Sequence, residues 1–138
     1  MKTCTFFGHR DTREEIGKRL SREIERLIIE EGVRLFYVGN QGNFDTMVRK
    51  LLEKYKLEFP HIEFFVVTAY PRVKNKELSR HHIYPLSVKS IPERNIWMIE
   101  NSDFVVTYVT SLCGGAARFK RYAFKQKKTV IELTDIRT

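Results

Sequence analysis

The hydrophobic pattern of this chain switches repeatedly between two periods along its 138 residues. Short, nearly continuous apolar runs at 3–7, 33–38, 62–67, 104–109 and 129–133 are typical of strands that are covered on both faces. Apolar residues recur at helical spacing in the segments between them, at 16–28, 44–55, 92–101 and 115–127. Strands that alternate with helices predict a mostly parallel five-stranded sheet with helices on both faces. We therefore predict one α/β domain over residues 1–138, a three-layer Rossmann-like fold with strand order 3-2-1-4-5.

Residues 70–91 interrupt this alternation, because they hold two prolines and many cations and lack a clear period. A segment of this length without regular structure is usually functional or mobile. We predict a long basic loop here, and Arg72 and Arg94 are candidates for a lid or a pocket wall. His81 and His82 are adjacent, so they cannot easily bind one metal ion, and no metal site is predicted.

The residues at the helix ends predict specific caps. Thr12 followed three residues later by Glu15 predicts a capping box at the start of the first helix, and Gly32 is placed as its C-terminal glycine. Asn43 is a candidate N-cap of the second helix.

The composition restricts the class of protein. Lys and Arg exceed Asp and Glu by eight charges, which favours anionic partners such as nucleotides or nucleic acid. No apolar run approaches the roughly 20 residues that span a bilayer, so no membrane partner is expected. Cys4 and Cys113 are too few for a disulfide framework or a zinc site. A reduced, cytoplasmic protein is the expectation.

Parallel α/β sheets bind ligands outside the carboxyl ends of their strands, so the loops after strands one, two and four are the candidate site. Gly8, His9 and Arg10 follow strand one and could meet a phosphate or carboxylate, with His9 also able to transfer protons. An ordinary strand-to-helix turn is the alternative for this loop.

Glycines and amides follow strand two, where the candidate residues are Gly39, Asn40, Gly42 and Asp45. Small residues follow strand four, where the candidates are Thr110, Gly114, Gly115 and Ala116. Backbone amides at such a helix start can hold an anion, because no bulky side chain blocks its approach. The alternatives are a simple turn after strand two and close packing of helix on sheet after strand four.

Four segments together resemble the bacterial SLOG superfamily, which includes the DprA and LOG families, and the likeness is closest to its YpsA-like branch. They are 5–10 (TFFGHR), 42–45 (GNFD), 94–103 (RNIWMIENSD) and 114–116 (GGA). The resemblance implies a Rossmann-like domain with a pocket for a nucleotide or nucleotide-derived ligand. It implies that Gly8, His9 and Arg10 line this pocket, that Gly42 and Asp45 form a Gly-x-Asp turn, and that Gly114 and Gly115 hold phosphate. A homo-oligomer is left open, since exposed apolar helix faces in this superfamily often pair.

One departure from the LOG pattern bears on catalysis. LOG enzymes carry a glutamate at the position that Arg121 occupies here. Because an oxocarbenium-like transition state needs a nearby carboxylate, phosphoribohydrolase activity is not expected. The predicted function is binding of a phosphorylated nucleotide-like ligand as a sensor or regulator, with no cofactor required. The alternatives are a nucleotide or nucleoside-phosphate hydrolase that uses His9, Asp45 or Glu100, and a DprA-type protein that binds single-stranded nucleic acid.

Overall fold

The computed structural model describes residues 1–69, 82, 83, 85, 88–110 and 114–133. Their strands and helices follow each other as β1 (Lys2–Gly8), α1 (Ile16–Ile29), β2 (Val33–Val38), α2 (Gly42–Glu58), β3 (Glu63–Val67), β4 (His82–Ile83), α3 (Ile91–Glu100), β5 (Phe104–Tyr108), α4 (Gly115–Lys125) and β6 (Thr129–Leu133). The predicted α/β class and three-layer architecture are those observed. Each predicted helix and each of the five predicted strands forms close to its expected bounds.

The strands form one sheet in the order β4-β3-β2-β1-β5-β6, and every neighbouring pair is parallel. The five predicted strands have the predicted order, 3-2-1-4-5. The predicted strand count was wrong by one, because β4 adds a sixth strand within the segment that was expected to be a loop. Its two residues pair with the end of β3, and the Thr68 N–H donates to the Ile83 carbonyl at 2.9 Å. Arg72 and most of the predicted basic loop lie outside the described residues.

Both faces of the sheet are covered, as a three-layer fold requires. Alternate residues of β1 point to opposite layers, with Phe6 in the core under α1 and α2 and Phe7 in the core under α3 and α4. The Phe6 ring stacks on Phe36 with centroids 6.0 Å apart, and the Phe7 ring stacks on Phe119 at 5.8 Å. The end of β1 is therefore held between the two helical layers.

The predicted N-terminal caps of α1 and α2 were both wrong. Glu15, the N-cap residue of α1, has helical dihedrals and makes no side-chain cap hydrogen bond. Thr12 instead donates its hydroxyl to the His9 carbonyl at 2.6 Å, which closes the turn after β1. The N-cap of α2 is Gln41 rather than Asn43, which lies inside the first turn of that helix. At the end of α1 the C-cap is Glu30, and Gly32 follows with φ +73°.

None of the described helices is long and apolar enough to cross a membrane. Burial raises the pKa of the Cys4 thiol well above its usual value, so this cysteine acts as an apolar core residue. Cys113 lies outside the described residues.

Candidate functional site

A cleft of about 200 Å³ lies at the carboxyl end of β1, between the starts of α2, α3 and α4. Its walls are Phe6, Phe7, Gly8, Arg10, Gln41, Asp45, Ile91, Arg94, Asn95, Met98, Gly115, Ala116 and Phe119. Loops that are far apart in the sequence meet here, because the strands before them are parallel neighbours. Among the residues predicted for the site, Gly8, Arg10, Asp45, Arg94, Gly115 and Ala116 line the cleft.

Gly8 allows α2 to approach the end of β1. A Cβ atom at this position would overlap the buried ring of Phe44, which lies in the first turn of α2. No side chain can therefore replace the Gly8 hydrogen without moving the helix. The first turn of α2, which carries Asp45, is thereby held against the cleft.

The charged centre of the cleft is Arg94, whose side chain is only 3% exposed. Its Nε and Nη2 donate to Oδ1 of Asn95 at 3.1 and 2.8 Å, and its Nη1 donates to Oδ1 of Asn40 at 2.8 Å. All three bonds end on neutral amide oxygens, and no ion pair joins Arg94 to a carboxylate of the described residues. Burial lowers the pKa of Arg94, and the charge of Asp45 opposes that shift. A guanidinium nevertheless stays protonated in proteins, so the cleft contains a buried cation without a direct counter-ion.

Asp45 supplies the acidic group of the cleft and is 8% exposed. Its Oδ2 accepts a hydrogen bond from the Gln41 N–H at 2.8 Å. Burial raises the pKa of Asp45 to about 6, although this hydrogen bond and the charges of Arg94 and Arg49 act in the opposite direction. Asp45 consequently changes its protonation state near pH 6, where an ordinary aspartate would stay ionised.

Gly39 makes room for these two ionisable groups. A Cβ atom on Gly39 would lie 2.7 Å from Oδ2 of Asp45 and 2.9 Å from Nη2 of Arg94. Both groups therefore rest against the same glycine just beyond β2. Gly39 does not line the cleft itself, and neither does Asn40, but both shape its charged centre.

Gly42 joins the loop after β1 to α2. It has φ +79°, in the left-handed region that favours glycine, and its Cβ position would lie 2.6 Å from Cα of Arg10. The next N–H, from Asn43, donates to the Arg10 carbonyl at 2.8 Å. Arg10 itself is exposed, so its guanidinium extends at the rim of the cleft.

His9 and Thr110 come together beside the cleft without lining it. Nε2 of His9 accepts from the Thr110 N–H, and the His9 ring meets Tyr108 edge-on with centroids 5.8 Å apart. This contact occupies Nε2 of His9 within the protein.

The start of α4 forms one wall of the cleft. Gly114 is its N-cap with φ +99°, and no side chain caps the first turn in the described residues. Gly115 and Ala116 face the cleft. A Cβ atom on Gly114 or on Gly115 would meet no described atom within 4 Å. The helix start therefore presents amides and small residues to the space beside Arg94.

Several cleft residues were missed by the sequence interpretation, chiefly Gln41 and Asn95. Asn95 adjoins Arg94 and lies in the 94–103 segment that carries the superfamily resemblance, and both were signals that could have indicated it. Glu100, offered as a possible catalytic acid, does not line the cleft, because it lies at the far end of α3. It accepts a hydrogen bond from the Tyr122 hydroxyl at 2.8 Å.

The described residues contain no group of His, Cys, Asp and Glu side chains that could hold a metal ion. No protein-family model matches the chain, and a search of curated proteins finds no match either. The superfamily resemblance read from the four sequence segments therefore remains an expectation.

Proposed function

We propose that this protein binds a nucleotide or nucleotide-derived phosphorylated ligand in the cleft, and that it serves as a sensor or regulator of the SLOG type. The observation that carries the proposal is the buried guanidinium of Arg94, which faces the cleft and has only amide partners. A buried cation is costly unless an anion accompanies it. Asp45 lies near Arg94 without forming an ion pair with it, and a bound phosphate would supply an anion in direct contact with the guanidinium.

Two further features support an anionic ligand. The uncapped start of α4 brings Gly115 and Ala116 to the cleft, and a helix start carries partial positive charge. Arg10 adds a second guanidinium at the rim, with a fork of donors that matches phosphate oxygens. Positive potential therefore comes from three separate elements that surround one space.

The remaining walls suit the rest of a nucleotide. Phe7, Met98 and Phe119 form apolar surface in the same cleft. Ligand sites commonly combine such surface with a few polar groups that fix orientation. A ligand with an anionic end and a flat, weakly polar base would use both kinds of wall.

Hydrolysis of the ligand is the second candidate function, and Asp45 favours it. A buried carboxyl group with a pKa of about 6 is suited to general acid-base chemistry near neutral pH. Arg121, which stands where LOG enzymes have their glutamate, does not line the cleft. Asp45 is therefore the acidic residue on which such an activity would depend.

The test is isothermal titration calorimetry with adenosine, guanosine, cytidine and uridine monophosphates, each compared with its uncharged nucleoside. We expect one or more monophosphates to bind at least tenfold more tightly than the nucleoside, since a charge-assisted hydrogen bond contributes about 1.5–3 kcal/mol. Arg94→Lys keeps the charge but loses the planar fork, so it should weaken binding, whereas Arg34→Lys on the exposed side of β2 should not.

The same mixtures are analysed by chromatography for free base and ribose phosphate. Base release that disappears in Asp45→Asn would support the hydrolase instead of the sensor. If the folded protein binds no mono-, di- or triphosphate more tightly than the corresponding nucleoside, the proposed function is wrong.

A further inference from the structure

A second, basic groove lies beside the cleft, between α3 and α4. It has a volume of about 210 Å³ and is lined by Ile96, Arg118, Phe119, Arg121, Tyr122 and Lys125. Phe119 also lines the cleft, so this one ring separates the two spaces. The groove therefore adjoins the cleft at Phe119, and three of its other lining residues lie farther along α4.

The cations of the groove lie on a single face of α4. Arg118, Arg121 and Lys125 are spaced by three and four residues, which places their side chains one above another on a helix. Arg118 also lies over the Phe119 ring, 5.1 Å from its centroid, at the border with the cleft. Lys120, on a different face, forms an ion pair of 2.7 Å with Glu132 and does not line the groove.

Carboxylates do not line this groove in the described part of the chain. Glu100 contacts one of the lining residues, because its carboxylate accepts a hydrogen bond from the Tyr122 hydroxyl at 2.8 Å. The uncharged lining residues are Ile96, Phe119 and Tyr122. All three cations of the groove belong to α4. Such a surface attracts an anion that is longer than a single phosphate.

We propose that the ligand of the cleft carries a chain of linked phosphates that passes Phe119 and runs along this groove, where Arg118 and Lys125 bind it. This inference rests on the nucleotide-binding function proposed above and specifies its substrate class. The chain of phosphates could belong to a nucleoside polyphosphate or to a short oligonucleotide, which present the same charge to the groove.

The dimensions of α4 explain why a single phosphate cannot make these contacts. With a rise of about 1.5 Å per residue, Arg118 lies about 5 Å and Lys125 about 15 Å along the axis from Gly115. A phosphate held at the helix start therefore leaves Lys125 out of reach, whereas several linked phosphates span the distance. Each exposed cation contributes modestly to binding, about two- to fivefold in affinity. The combined effect of these cations therefore decides how strongly the protein prefers a chain of phosphates to a single phosphate.

The experiment compares mono-, di- and triphosphates of adenosine and guanosine by calorimetry, at low ionic strength and without divalent cations. A single-stranded hexathymidylate forms the oligonucleotide arm. We expect the triphosphate or the hexanucleotide to bind about tenfold more tightly than the monophosphate, and added salt to narrow the difference because exposed charges are screened.

Arg118→Gln and Lys125→Gln should each weaken binding of the longer ligand about two- to fivefold and leave monophosphate affinity unchanged. Lys125 is exposed, so its replacement does not disturb the core. Lys50→Gln, which removes an exposed cation from α2, is the matched control and should change neither affinity.

The outcomes separate this inference from the proposed function. Tighter binding of the triphosphate than of the monophosphate supports a polyphosphate ligand. If only the hexanucleotide binds more tightly than the monophosphate, the result supports a phosphodiester chain. Equal affinity for short and long ligands overturns the inference while the cleft remains a nucleotide site. Absence of binding by every nucleotide to the folded protein overturns both.

Discussion

Nε2 of His9 accepts a hydrogen bond of 2.7 Å from the backbone N–H of Thr110. The Thr110 hydroxyl lies 3.1 Å from the same nitrogen. These residues follow β1 and β5, which are neighbours in the sheet, so the contact ties together the two loops that begin at their ends. Since the amide can only donate, Nε2 holds a lone pair, and a neutral His9 therefore carries its proton on Nδ1. The imidazole thus fixes the beginning of the segment that leads into α4.

Replacement of His9 by Leu should release the Thr110 amide. The N–H would lose its acceptor, and we expect faster hydrogen exchange at Thr110 with a loss of stability of about 1 kcal/mol. Exchange measured residue by residue by NMR tests this, with the exposed His61→Leu as the control. An unchanged exchange rate at Thr110 would show that the contact does not hold the loop.

The Asp45→Asn variant should become more stable than the wild type as the pH rises. The folded-state pKa of about 6 exceeds the unfolded value of about 3.9. Ionisation of Asp45 therefore opposes folding once the pH rises into this interval and above it. The contribution of Asp45 to stability is greatest below about pH 4, declines between about pH 4 and 6, and is constant above it.

Urea denaturation across that interval measures the effect. We expect the two proteins to match near pH 4 and the variant to gain up to about 3 kcal/mol at neutral pH, since the shift is about two pKa units and each unit corresponds to about 1.4 kcal/mol. A difference that does not vary with pH would contradict the raised pKa.

Gly39→Ala should destabilise the charged centre of the cleft. The new methyl group would press on the Asp45 carboxyl group and the Arg94 guanidinium, and overpacking of this kind costs about 1–3 kcal/mol. Gly17→Ala is a matched control, because its Cβ would meet nothing within 4 Å and it lies within α1. That control should stabilise by about 0.5–1 kcal/mol. Equal midpoints for the two variants in thermal denaturation would refute the close approach at Gly39.

Gly115→Val should abolish ligand binding and leave the fold intact. A Cβ atom at this position would meet no described atom within 4 Å, and the side chain would extend at the cleft wall. We expect nucleotide affinity to fall more than tenfold with little change in thermal midpoint, because valine costs well under about 1 kcal/mol in a helix. If this variant binds nucleotide with wild-type affinity, the start of α4 is not part of the ligand site.

The layered fold could be predicted because each long element carries its own hydrophobic period. β4 could not, because its two residues form a strand only by pairing with Val66 and Val67 of β3. The role of the glycines after β1 and β2 could be predicted from the sequence, since strand ends and turn residues are local signals. The burial of Arg94 was not, because arginine is usually exposed and here depends on Asn40, which lies 54 residues away in the chain.

The position of β1 inside a parallel sheet has a consequence for synthesis on the ribosome. One edge of β1 pairs with β2 soon after both strands emerge, but its other edge pairs with Phe104–Tyr108, about a hundred residues later. Until then the nascent chain presents an unpaired strand edge next to Phe6 and Phe7, the kind of surface on which chains aggregate. The segment that finally covers this edge is followed by a short connection and then by α4, which completes the cleft. A chain that stops before β5 would thus keep this unpaired strand edge and would also lack the wall of the cleft that α4 forms.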